Sequence, residues 1–134
     1  MEGFKLRIII TGDTNFKDYG YLKRKVIETL GILSKEGCFS LNGDITDITL
    51  ITGKAKGAVE LGKRFSKEFQ SQFIQLKLKE FPTEGETLTS EMVRYAQDSP
   101  ILGVLIAFWD STSKDLKHIK DLAQQYALKT FIYN

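Results

Sequence analysis

The chain is short of the residues that build the commonest reactive centres. It has one cysteine, Cys38, so no intrachain disulfide is available, and a shielded structural thiol is expected there. It has one histidine, His118, and no Cys/His cluster with metal-ligand spacing, so no metal is expected. It has only two prolines, Pro82 and Pro100, and one tryptophan, Trp109. Its charges nearly cancel, with a formal net charge of +2, and no basic block is longer than Lys23-Arg24-Lys25. A nucleic-acid groove is therefore not indicated. No apolar run nears the ~20 residues that cross a membrane, and Ile8-Ile9-Ile10 is too short for a signal peptide. These absences predict a reducing, cytoplasmic setting with no membrane contact.

What is present suits a globular domain. The 134 residues are 42% hydrophobic and 27% charged, enough for one domain spanning 1–134 with a real core. The run Phe4–Thr11 is nearly continuously apolar, as in a strand buried on both faces of a parallel sheet. Tyr19–Lys35 reads as a helix, because Leu22, Val26, Leu30 and Leu33 recur at helical spacing. Gly37–Asp47 is irregular and holds the turn signal Asn42-Gly43-Asp44, which fits a small hairpin or a surface excursion. Ile48–Thr52 is a second strand and Ala55–Gln72 a second helix, with Ala58, Leu61, Phe65 and Phe69 on one stripe.

Phe73–Leu78 alternates, as an edge strand would. Thr89–Gln97 is a short helix, stopped before Pro100. Ile101–Trp109 is the most apolar run and predicts a central strand. Ser113–Ala127 is the last helix, and Thr130–Tyr133 closes the chain as a strand. The order β-α-β-α-β-α-β-α-β predicts an α/β, Rossmann-like three-layer fold. It would have a five-stranded, mainly parallel sheet with helices on both faces. Ligands of such folds sit beyond the carboxyl ends of the strands, at the topological switch point. The loops Gly12–Asn15, Gly53–Gly57 and Asp110–Lys114 are thus the candidate site, with the first and third flanking a crevice if their strands are adjacent.

Leu50–Gly62 carries the clearest local signal: a short strand, a glycine turn, then a helix. Helix starts hold unpaired N–H groups and partial positive charge, suited to phosphate or carboxylate. Gly53 and Gly57 permit close backbone approach, and Lys54 and Lys56 add positive charge. The stretch is neither G-x-G-x-x-G nor G-x-x-x-x-G-K-[ST], and turn geometry alone also accounts for its glycines. Gly12, Asp13 and Asn15 follow the first strand. Asp13 suits a general base or a ribose partner, and equally a turn cap through its own side chain. Asp110, Ser111 and Ser113 follow the apolar strand, and Thr112 with Asp115 forms an approximate capping box. Trp109 suits core, crevice wall or base stacking. His118 suits a surface or packing role, and Glu91 a first-turn acid or a catalytic carboxylate.

Three stretches in order carry a family resemblance: Thr11-Gly12-Asp13-Thr14-Asn15-Phe16, then Ile51–Ala58, then Ile106-Ala107-Phe108-Trp109-Asp110 with Ser113 and His118. Together the chain resembles the YspA-like, cpYpsA-related branch of the SLOG superfamily, which also includes the DprA/Smf and lonely-guy (LOG) proteins. The resemblance implies a Rossmann-like domain that binds a nucleotide or nucleotide-derived small molecule at Gly12, Asp13, Asn15, Gly53, Lys54, Lys56, Gly57, Asp110, Ser111 and Ser113. The chain departs from the family pattern at Thr14 (usually arginine), Lys54 (glycine) and Val59 (aspartate). It departs again at Leu88-Thr89 (an Arg-Asn pair), Ser111 (glycine) and Asp115-Leu116 (a Gly-Thr pair). A sensing or binding module is the first expectation, without a resident cofactor and with turnover left open. A LOG-like nucleotide hydrolase and a ligand-free interaction scaffold are the alternatives. A homo-oligomer is possible, and nucleic acid is not an expected partner.

Overall fold

A computed structural model describes residues 5–37, 46–54, 56–69, 71–72, 74–82, 89–98, 102–108 and 115–133. Nine elements alternate along them: β1 (Lys5–Gly12), α1 (Tyr19–Lys35), β2 (Thr46–Thr52), α2 (Ala58–Glu68), β3 (Ile74–Glu80), α3 (Ser90–Gln97), β4 (Leu102–Phe108), α4 (Asp115–Gln125) and β5 (Lys129–Tyr133). The five strands form one sheet in the order β3-β2-β1-β4-β5, and each adjacent pair is parallel. The expected α/β three-layer architecture is therefore the observed one, and the sheet is parallel throughout.

The apolar run of β1 is explained by its place at the middle of the sheet, where alternate side chains serve opposite cores. Leu6, Ile8 and Ile10 join Leu22, Val26, Leu30 and Leu33 of α1 and Ala58 and Phe65 of α2. Ile9 faces the other way, with Ile51, Leu105 and Ala107, against Met92, Val93 and Ala96 of α3 and Ile119 and Ala123 of α4. Period-2 alternation of two apolar sets reads in sequence as one unbroken run. β4 lies inside the sheet between β1 and β5, and β3 forms an edge, both as expected.

Helix α1 has the bounds its periodicity predicts. Asp18 caps its start by accepting the Tyr21 N–H at 3.0 Å. Helix α2 is shorter than the predicted Ala55–Gln72. Gly57 has φ +74°, which helical geometry excludes, and Phe69 turns extended after Glu68. Helix α3 starts one residue late because Thr89 is its cap, accepting the Met92 N–H at 3.3 Å. Helix α4 ends at Gln125, two residues before the predicted Ala127. There the Leu128 N–H reaches back to the Ala123 carbonyl and the Ala127 N–H to that of Gln124, at 2.9 and 3.2 Å. This is a Schellman-type stop with Ala127 at φ 56°. Residues 38–45, including the expected turn Asn42-Gly43-Asp44, lie outside the described residues.

Candidate functional site at the carboxyl ends of the strands

The sheet order defines one switch point. From β1 the chain moves to β2 and β3 on one side, then returns to β4 on the other side of β1. The last residues of the two neighbouring strands are in register, Gly12 with Phe108. The bond continues past the strand end, where the Asp13 N–H donates to the Phe108 carbonyl at 2.8 Å. The carboxyl ends of β1 and β4 thus lie side by side, the adjacency on which the expected crevice depends.

Gly12 is buried at this junction. A Cβ added to it would collide with the Phe108 carbonyl oxygen and stand 2.6 Å from the Ala58 Cβ. Asp13 holds the loop together. Its carbonyl accepts from the Phe16 N–H at 3.1 Å and from the Ala58 N–H at 3.2 Å, and its Oδ1 accepts from the Asn15 N–H at 2.9 Å. The side chain is therefore a turn cap, one of the two roles its sequence position allowed. Thr14 and Asn15 are exposed.

Gly57 docks directly on this loop. Gly57 caps α2 with φ +74° and ψ −127°, and a Cβ there would meet the Thr14 backbone at 2.5–2.6 Å and the Asp13 carbonyl closer still. Only glycine tolerates both the dihedral and the contact. The structure thus brings Asp13 and Thr14 against Gly57, and Gly12 against Ala58. It also has a chemical consequence: the first amide of α2, on Ala58, is taken up by a backbone carbonyl of the same chain.

Gly53 is buried at the end of β2, and Lys54 and Lys56 are exposed. Lys54 has a second neighbourhood. Glu80, the last residue of β3, has its carboxyl held below the ordinary value, first by a hydrogen bond from Lys63 and then by the charges of Lys63, Lys54 and Lys67. Part of the positive charge expected at the switch point therefore serves the β3 end of the sheet. The Thr52 hydroxyl, just before Gly53, is fully buried and has no hydrogen-bond partner among the described residues.

Asp110, Ser111 and Ser113 lie outside the described residues, as do Trp109 and Thr112. Glu91 is exposed in the first turn of α3, and His118 is exposed on α4. Among the described residues no group of three or more His, Cys, Asp or Glu could hold a metal ion, and no helix is long and apolar enough to cross a membrane.

Sequence reasoning looked to Trp109 for a stacking surface and missed an aromatic row at the same end of the sheet. The Phe108 ring lies 5.4 Å from Phe16, 6.3 Å from Tyr21 and 5.7 Å from Tyr133. Lys25 stands 5.7 Å from the Tyr21 ring and 5.3 Å from that of Tyr133. The four residues come from a loop, a helix and two strand ends, so no local spacing announces them. Phe16 and Tyr21 both follow β1 within one turn of α1, and that proximity was the available signal. No family model matches this chain, and no curated protein matches it either.

Proposed function

We propose that the protein binds a nucleotide or nucleotide-derived small molecule at the carboxyl ends of β1, β2 and β4, as a binding or sensing module of SLOG type. One observation carries the reading: β1 and β4 are neighbours in register at Gly12 and Phe108, and Gly57, at the start of α2, packs on the loop that follows β1. Ligands of open parallel sheets bind at that place. Lys56 supplies exposed positive charge, and the partly exposed rings of Phe16 and Tyr21 offer a face for a base. The SLOG resemblance of the three loop sequences supports the same class of ligand.

A second reading, a scaffold that has lost its ligand, draws support from the Asp13 carbonyl on the Ala58 amide. An anion at that helix start would compete with a bond the fold already makes. Titration calorimetry separates the two, with a panel of mono-, di- and cyclic nucleotides and ADP-ribose. The binding reading expects saturable heat from at least one compound, weakened about tenfold or more by Lys56→Glu at constant fold. Silence across the panel at protein concentrations suited to micromolar affinity leaves the scaffold reading standing.

A further inference from the structure

Strand β3 pairs with β2 along Ile74–Glu80 and, among the described residues, with nothing on its outer side. The sheet face shared with α3 and α4 is unevenly covered. Helix α3 packs over β1, β4 and β2 and α4 over β5, and the β3 side chains on that face, Gln75, Lys77 and Lys79, are exposed. A hollow of about 200 Å3 opens there, lined by Lys5, Arg7, Asp47, Thr49 and Lys77. Arg7 is engaged by Tyr95 and Asp98. Lys5, Lys77 and Lys79 make no ion pair among the described residues. On the other face of the same strand Leu76 is half-buried and Leu78 is 38% exposed, one of two large apolar side chains so exposed among the described residues.

Among the described residues the strand thus presents an unpaired backbone rim, with lysines that make no ion pair on one face (Lys79 lying over the Phe81 and Tyr95 rings) and the half-buried Leu76 and exposed Leu78 on the other. Like charges at an edge discourage self-pairing, because a second β3 laid alongside would set lysine against lysine. The same charges attract a strand of opposite sign. We propose that the β3 edge accepts an extended acidic segment of another protein as a sixth strand. Acidic residues at alternate positions would face Lys77 and Lys79, and the intervening apolar residues would cover Leu76 and Leu78. Main-chain hydrogen bonds would supply affinity and the alternation would supply selectivity. The proposal does not depend on the nucleotide reading.

The probe is a fluorescein-labelled seven-residue peptide alternating glutamate and valine, followed by anisotropy at low salt and by amide hydrogen exchange. Binding is expected, with slowed exchange confined to β3. Lys77→Glu with Lys79→Glu should weaken it about tenfold or more, and Lys120→Glu on α4 should leave it unchanged. The same peptide N-methylated at alternate residues keeps its charge and should lose binding. No binding by the parent peptide overturns the proposal. So does equal binding by the methylated peptide, or by a thymidine oligonucleotide of similar charge, since either marks the lysines as a general anion surface. The doubly substituted protein is checked by circular dichroism, and Lys77→Gln with Lys79→Gln serves if charge reversal unfolds it.

Discussion

Gly31 lies inside α1, and nothing stands within 4 Å of where its Cβ would be. An interior helical glycine costs backbone entropy with no compensating contact. Gly31→Ala should therefore raise stability by about 0.5–1 kcal/mol in urea unfolding. Ala127 is the converse case, a residue with a Cβ held at φ 56° by the stop of α4. Ala127→Gly should also stabilise, by about 1 kcal/mol. Gly57 answers differently from both. Its dihedral and its contact with Asp13 and Thr14 make Gly57→Ala destabilising by about 1–3 kcal/mol. A neutral result at Gly57, on the same unfolding measurement, would mean that the turn moves away from the Asp13 loop at little cost.

At the scale of elements, two tethers can be tested separately. Arg7 reaches from β1 to the end of α3, donating to the Tyr95 carbonyl at 2.6 Å with its guanidinium 3.8 Å from the Tyr95 ring. Its carboxylate neighbour Asp98, 3.6 Å away, is largely exposed. Arg7→Met should cost about 1–3 kcal/mol in urea unfolding, whereas Asp98→Asn should cost under about 0.5 kcal/mol. Lys63 of α2 ties to Glu80 of β3. Because the folded Glu80 carboxyl titrates below its ordinary 4.5, this tie stabilises above that pH and fades as pH falls through the lowered value. Unfolding curves of the wild type and Glu80→Gln should converge on acidification and separate towards neutrality.

Elements were the most legible part of the sequence. Leu22, Val26, Leu30 and Leu33 fixed α1 to the residue, and Ile8-Ile9-Ile10 marked a strand buried on both sides. The start of α2 and the end of α4 were not legible, because Gly57 and Ala127 bound those helices through dihedrals that composition does not reveal. In the candidate site, the glycines and Asp13 were found from their position after strands. Their partners were not, since the Ala58–Asp13 bond joins residues far apart in sequence. The pull of the Lys54 charge on Glu80 was not legible either, since only the β2–β3 pairing brings the two near.

For the whole molecule, the crossing from β3 over to β4 makes β1 the hinge of the architecture, paired with β2 on one side and β4 on the other. A ligand that binds only the folded chain should stabilise the whole fold. Saturating any compound that gives heat in calorimetry at a hundredfold excess over its Kd should add about 2.7 kcal/mol to unfolding. An unchanged melting temperature would mean that the compound does not favour the folded chain over the unfolded one.

The same pairing sets an order of events during synthesis. Strand β1 leaves the ribosome before its neighbours, and β2 and β3 can join it next. Its other neighbour, β4, is made only after β2, α2, β3 and α3. Until then the rim of β1 from Leu6 to Gly12, one of the most apolar strands of the protein, is an open edge in a nascent chain. That interval is when aggregation or capture by a chaperone competes with folding. It closes when β4 pairs with β1 and sets Phe108 beside Gly12, which leaves only the shorter β5 to be added at the edge.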